Sequence, residues 1–124
     1  MQKVLVMDDS KIIRVKIRDL LVANGYEVFE AIDGQDAWEQ LSSGLVNPDF
    51  LMLDVNTPRL DGVSLCEKLF EAKICQGKPI FLVTTESNPD LKDRAKRCGV
   101  SAWILKPIQA DKLLLVLSKV LKAN

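Results

Sequence analysis

Five short apolar runs, each separated from the next by a stretch of helical periodicity, constrain this chain more than any other feature. The runs are KVLVM (3–7), YEVFEA (26–31), FLML (50–53), IFLV (80–83) and AWIL (102–105). Three are continuously apolar, as strands covered on both faces of a parallel sheet are, whereas YEVFEA alternates and fits a less covered edge. Ile13, Ile17, Leu20 and Leu21 mark the first helix, which opens after an N-cap at Asp9 or Ser10 and stops at Asn24-Gly25. Ala37, Trp38 and Leu41 mark a second, ending near Ser43-Gly44; Leu65, Leu69 and Ala72 mark a third. Leu91, Ala95 and Cys98 mark a fourth, closed by Gly99, and Leu113, Leu114, Leu117 and Leu121 a fifth, capped near Asp111. The order β-α repeated five times, with short connections, predicts one domain over residues 1–124. Its architecture is a doubly wound α/β sandwich, whose right-handed crossovers put ligand sites beyond the carboxyl ends of the strands.

Composition narrows the function. The chain has 124 residues, 48% of them hydrophobic and 27% charged, the balance of a soluble globular domain. Lys+Arg and Asp+Glu are 17 each, so there is no electrostatic footprint for nucleic acid or an anionic membrane. No apolar run reaches the roughly 20 residues of a membrane span, and acids interrupt MQKVLVMDDS where a signal peptide would stay apolar; the expected location is the cytoplasm. Cys66, Cys75 and Cys98 are widely spaced and read as free thiols. With no CxxC and no histidine anywhere, the chain lacks a zinc pattern and the usual nucleophile of phosphohistidine chemistry. Any phosphoryl group must come from another protein or a small molecule.

The strand ends carry the polar residues. Strand one ends in Asp8-Asp9-Ser10, strand three in Asp54-Val55-Asn56, strand four in Thr84-Thr85-Glu86 and strand five in Lys106-Pro107. Taken singly, each has a plain structural reading: a helix cap, a strand-end hydroxyl, a loop. Together, in this topology, they converge on one edge of the sheet. Carboxylates that close repel, by about 4 kcal/mol for two charges ~4 Å apart at an effective dielectric of 20. A hard divalent cation such as Mg²⁺, which takes carboxylate and phosphate oxygens, is the natural remedy, and Lys106 neutralises part of the remaining charge.

VLVMDDS, LMLDVNTPRLDG, IFLVTT and WILKP together resemble the receiver domain of bacterial response regulators, the CheY-like fold, over essentially the whole chain. The resemblance implies a flavodoxin-like (βα)5 sheet of strand order 2-1-3-4-5. It implies that Asp54 is the phosphoacceptor, ionised and exposed at its strand end, in a self-phosphorylating and autodephosphorylating protein rather than a turnover enzyme. Asp8 and Asp9 hold Mg²⁺ (or Mn²⁺) with Asp54, Asp9 more directly, and the Asn56 backbone carbonyl is a further ligand. Lys106 pairs with the acceptor carboxylate and then with the phosphoryl group. Thr84 is the switch hydroxyl, Trp103 the switch aromatic, and the Lys106-Pro107 peptide bond is cis. Asn56, Thr85 and Glu86 modulate access and hydrolysis. The implied partners are a sensor histidine kinase or phosphotransfer protein and a downstream protein target or fused effector; neither nucleic acid nor membrane is contacted directly. The output face is made by the fourth helix, fifth strand and fifth helix.

Three positions depart from the commoner pattern: Thr57 replaces a frequent methionine, Thr85 a small residue, and Trp103 the usual Tyr or Phe. The main competing reading is a phosphohydrolase using an aspartyl-phosphate, because Asp54-Val55-Asn56-Thr57 loosely resembles the DxDxT motif of haloacid-dehalogenase-like phosphatases. Asn56 stands where that motif has its acid, and no cap domain fits. A flavodoxin-like electron carrier lacks its phosphate loop after strand one, and a binding-only pseudo-receiver is disfavoured because every acceptor, acid, threonine and lysine position is filled.

Overall fold

The computed structural model describes residues 1–85 and 87–121. The chain runs β1 (Lys3–Met7), α1 (Lys11–Ala23), β2 (Glu27–Ala31), α2 (Gly34–Ser42), β3 (Phe50–Asp54), α3 (Gly62–Ala72), β4 (Ile80–Thr84), α4 (Pro89–Arg97), β5 (Ala102–Leu105) and α5 (Ala110–Leu121). The strands pair in parallel in the order β2-β1-β3-β4-β5. The alternating segment lies at an edge as expected, and β5, half-exposed, is the other edge.

The period-2 alternation of strand side chains divides the interior in two. Leu5, Met7, Leu51, Leu53, Ile80 and Leu82 face the layer that includes Ala37, Leu41, Leu65, Leu69 and Ala95 of α2, α3 and α4. Val4, Val6, Phe50, Met52, Phe81 and Val83 face Ile17 and Leu21 of α1 and Leu113 and Leu117 of α5. Phe50 anchors that second layer, with Tyr26 and Phe81 edge-on to its ring at 5.4 and 5.8 Å. The same alternation sorts the polar and aromatic residues at and just beyond the strand ends, and Trp103 within β5. Asp8, Asp54 and Lys106 continue the series facing α1 and α5, whereas Thr84 and Trp103 belong to the series facing α2, α3 and α4.

Helix starts near the site are capped by side chains. Ser10, not Asp9, caps α1 and accepts from the Ile13 N–H; Asp33 caps α2, Asp61 caps α3 and Asn88 caps α4. Asp111 lies inside the first turn of α5 rather than capping it, where its charge suits the helix dipole. Helix α4 has one buried residue, Ala95. Among the described residues no helix is long and apolar enough to cross a membrane.

Candidate functional site

Strand register builds the site. Met7 pairs with Leu53, so Asp8 and Asp54 follow side by side; Thr84 pairs with Leu105, so Lys106 follows one step beyond Thr84. Asp8, Asp9 and Asp54 offer carboxylate oxygens that all lie within 4.8 Å of one another. The Lys106 Nζ donates to Asp8 Oδ2 at 3.1 Å and stands 3.4 Å from Asp54 Oδ2. The Asn56 N–H donates to Asp54 Oδ1 at 3.2 Å, and the Asn56 side-chain amide donates to the Thr84 hydroxyl at 3.3 Å. Asp8 is held from both sides: Oδ1 accepts from the Ser10 N–H at 2.8 Å, and its carbonyl accepts from the Arg14 guanidinium at 2.8 Å.

One expectation is corrected here. Asp54 is not exposed: it is 4% accessible, and Asp8 is 1%. Its carboxylate lies among Lys106, Asp8, Asp9 and the Asn56 N–H, while the loop returning to α3 packs against its backbone; a Cβ on Gly62 would be 2.4 Å from the Asp54 carbonyl oxygen. Burial, and then the neighbouring Asp8 charge, push the Asp54 carboxyl above the usual aspartate range, against the opposing pull of Lys106 and the Asn56 N–H. Burial alone would lower the Lys106 ammonium, but the Asp8 hydrogen bond and the Asp54 charge outweigh it and hold it above the usual lysine value.

Three carboxylates against one ammonium leave two negative charges uncompensated, on hard oxygen donors at a half-open strand edge. That donor set fits a hard divalent cation, which would bring its charge match with it. Asp9, the exposed member, faces solvent, from which a partly hydrated ion would enter.

The other residues named from sequence fall around this centre. Thr84 is fully buried and Thr85 exposed. Asn56 is exposed beside Asp54, and the Lys106-Pro107 bond is cis. Trp103 is half-buried, with the Lys92 ammonium 5.7 Å from its ring centre, and lines a cleft of about 280 Å³ against α4. Glu86 lies outside the described residues. Sequence reading passed over Asp33, Gly34 and Arg59, and took Asp61-Gly62 as only a turn, though these residues frame the acceptor loop; the two Asp-Gly pairs, each an N-cap followed by a closely packed glycine, were the available signal.

The model of the response regulator receiver domain matches residues 4–118. The chain belongs to the response regulator receiver family. As a receiver domain of two-component signalling it is 35% identical over 123 residues to the chemotaxis protein CheY1 of Helicobacter pylori, covering 98% of each. It is 34% identical over 114 residues to the transcriptional regulatory protein PdtaR of Mycobacterium tuberculosis; that match takes in 91% of this receiver but spans about half, 53%, of the relative. Among solved structures, the chemotaxis protein CheY4 of Vibrio cholerae superposes with a TM-score of 0.87 at 33% identity, covering 97% of this receiver and 98% of that chain.

Proposed function

We propose that this receiver domain, taken as one unit over residues 1–124, accepts a phosphoryl group on Asp54 from the phosphohistidine of a sensor kinase or phosphotransfer protein. The observation that carries the reading is the buried carboxylate of Asp54, 3.4 Å from Lys106 and beside Asp8 and Asp9. One Asp54 oxygen attacks phosphorus, the P–N bond of the donor breaks, and its electron pair returns to the imidazole nitrogen, which takes up a proton from solvent. Asp8, Asp9, Asp54 and the Asn56 carbonyl would hold Mg²⁺, or Mn²⁺ in its place; the ion supplies charge neutralisation for carboxylate and phosphoryl oxygens. Lys106 stays within reach of the acceptor and stabilises charge developing on the phosphoryl oxygens. The new phosphoryl oxygens accept from the Thr84 hydroxyl, drawing it away from Asn56. Thr84 and Trp103 share one face of the sheet, so that movement reaches the surface made by α4, β5 and α5, where a downstream protein target or a fused effector would bind. Asn56, Thr85 and Glu86 would set how easily water reaches the acyl phosphate. We place the protein in the cytoplasm, where a kinase of this class would present its phosphohistidine.

The test is incubation with acetyl phosphate and Mg²⁺ followed by intact mass. A single phosphoryl adduct should form, and it should disappear in Asp54→Asn and on chelation of the metal. An adduct that persists on another residue of the wild-type protein with Asp54 unmodified would end the reading. Catalytic turnover of small phosphate esters would favour the phosphohydrolase instead.

A further inference from the structure

The loop between β3 and α3 leaves Asp54, carries Asn56 and returns at Gly62. It is braced internally: the Thr57 hydroxyl donates to the Leu60 carbonyl at 2.7 Å and the Gly62 N–H to the Val55 carbonyl at 3.0 Å. It is also braced from outside, against the start of α2. A Cβ on Gly34 would lie 2.0 Å from the Leu60 carbonyl oxygen, so glycine is what permits the approach. Across that contact, Arg59 donates through Nε to Asp33 Oδ2 at 2.8 Å and through a terminal nitrogen to Oδ1 at 3.2 Å.

Two features separate this fork from an ordinary surface ion pair. The Asp33 carboxylate is 5% exposed, and it also accepts from the Asp36 N–H at 2.8 Å, so one buried group caps α2 and holds the loop together. Arg59 has φ of 66°, a left-handed conformation that is unfavourable for a residue with a Cβ. The fork and the backbone conformation therefore belong together: the left-handed turn delivers the guanidinium to Asp33. That turn is three residues from Asn56, whose backbone N–H bonds Asp54 and whose carbonyl is assigned above to the cation.

We infer that Asp33 and Arg59 are a positioning pair that fixes the loop after the phosphoacceptor, and with it the Asn56 carbonyl, in the arrangement the divalent cation needs. The inference rests on the receiver reading above. Neither residue touches the cation or the phosphoryl group. Both act through the backbone of residues 55–61, and the pair sets metal affinity, not the rate of the loaded site.

Three variants test this. Arg59→Gly removes the fork while accepting the left-handed backbone. Asp33→Ser combined with Arg59→Gly keeps a capping oxygen on α2 and leaves no buried charge unpaired, so this variant retains the fold. Arg59→Lys keeps the charge but loses the two-pronged geometry. The Mg²⁺ dissociation constant is read by amide NMR titration in the absence of any phosphoryl donor. It should rise about tenfold in Arg59→Gly, the low end of the loss seen when a partner behind a metal ligand is removed. The double variant should lose no more than the single one, because both delete the same link, and Arg59→Lys should fall between. At saturating Mg²⁺ the rate of acyl-phosphate formation from acetyl phosphate should stay within about twofold of wild type, the pattern of lost ground-state binding. Wild-type affinity in the folded single and double variants, with or without a lower melting temperature, would overturn the pair's role while leaving the receiver reading intact. Absence of Mg²⁺ binding and of phosphorylation in the wild-type protein would overturn both.

Discussion

Removing the Arg94 guanidinium should loosen α4 selectively. This helix has one buried residue, and a fork from Arg94 ties it to Glu67 of α3, at 2.6 and 3.1 Å, with a further bond to the Ser64 hydroxyl at 3.3 Å. Ser64 in turn donates to Asp61, the cap of α3, so the link runs back to the end of the acceptor loop. The two charged side chains are 34% and 39% exposed, which calls for a water-like dielectric. At 2.6 Å that gives an attraction of about 1.6 kcal/mol. Holding two long side chains in place takes back part of it, leaving about 1 kcal/mol, the upper end for a solvent-exposed pair. In Arg94→Ala the opening equilibrium of α4 should therefore rise roughly fivefold. Alanine is the best helix former, so the change cannot be blamed on propensity. Hydrogen exchange resolves the result by element: α4 amides should exchange about fivefold faster while β1, β3 and β4 stay unchanged. Glu67→Gln should give a similar effect, and the double variant little more. Glu67 is held below its usual range by the Arg94 hydrogen bond, so the link is complete above the ordinary glutamate pKa and is lost as pH falls through the lowered one. Unchanged α4 exchange in both single variants, or equal acceleration across the sheet, would refute the reasoning.

Three further outcomes are expected. Because burial and the Asp8 charge raise the Asp54 carboxyl, its reactive carboxylate is lost at higher pH than an ordinary aspartate's; at low Mg²⁺ the acetyl phosphate reaction should fail as pH drops through that raised value. Saturating Mg²⁺, which favours the charged form, should move the fall to lower pH, and a profile indifferent to Mg²⁺ would contradict the assignment. Replacing a helical glycine by alanine ordinarily gains about 1 kcal/mol, but Gly34→Ala should destabilise by about 1–3 kcal/mol in urea unfolding, since the added carbon meets backbone at Leu60. With Trp38→Phe leaving Trp103 as the remaining indole, beryllofluoride and Mg²⁺ should shift emission and quencher access only modestly, because indole is bulky and its burial is opposed by about 1–3 kcal/mol of overpacking; complete loss of quencher access would show full burial.

The parts of the fold that depend on local periodicity were legible in the sequence. Continuous apolar runs against one alternating run identified the strands and the β2 edge, and the caps at Ser10 and Gly99 fell within two residues of the helix ends. The convergence of Asp8, Asp9, Asp54, Thr84 and Lys106 was legible because topology brings strand ends to one edge. What local pattern does not encode is the approach of one backbone to another. The loop after Asp54 returns against its backbone only as closely as Gly62 permits, and the Arg59 fork joins residues 26 positions apart through a left-handed turn that arginine does not advertise. The link from Arg94 to Glu67 is of the same kind: each side chain reads as part of a solvated helix face until α3 and α4 are set side by side.

The ion pair between Lys106 and Asp8 joins residues 98 positions apart, which gives it a meaning during biosynthesis. A nascent chain exposes all three carboxylates long before it has made the lysine that offsets one of their charges. Until the half-exposed last strand docks against β4, the pocket carries its full negative charge and lacks its neighbouring ammonium. Fraying of that edge strand in the mature protein recreates the same deficit. If Lys106 acts as proposed, competence to accept a phosphoryl group is tied to completion of the fold, and a chain unfinished or partly opened at β5 would stay silent.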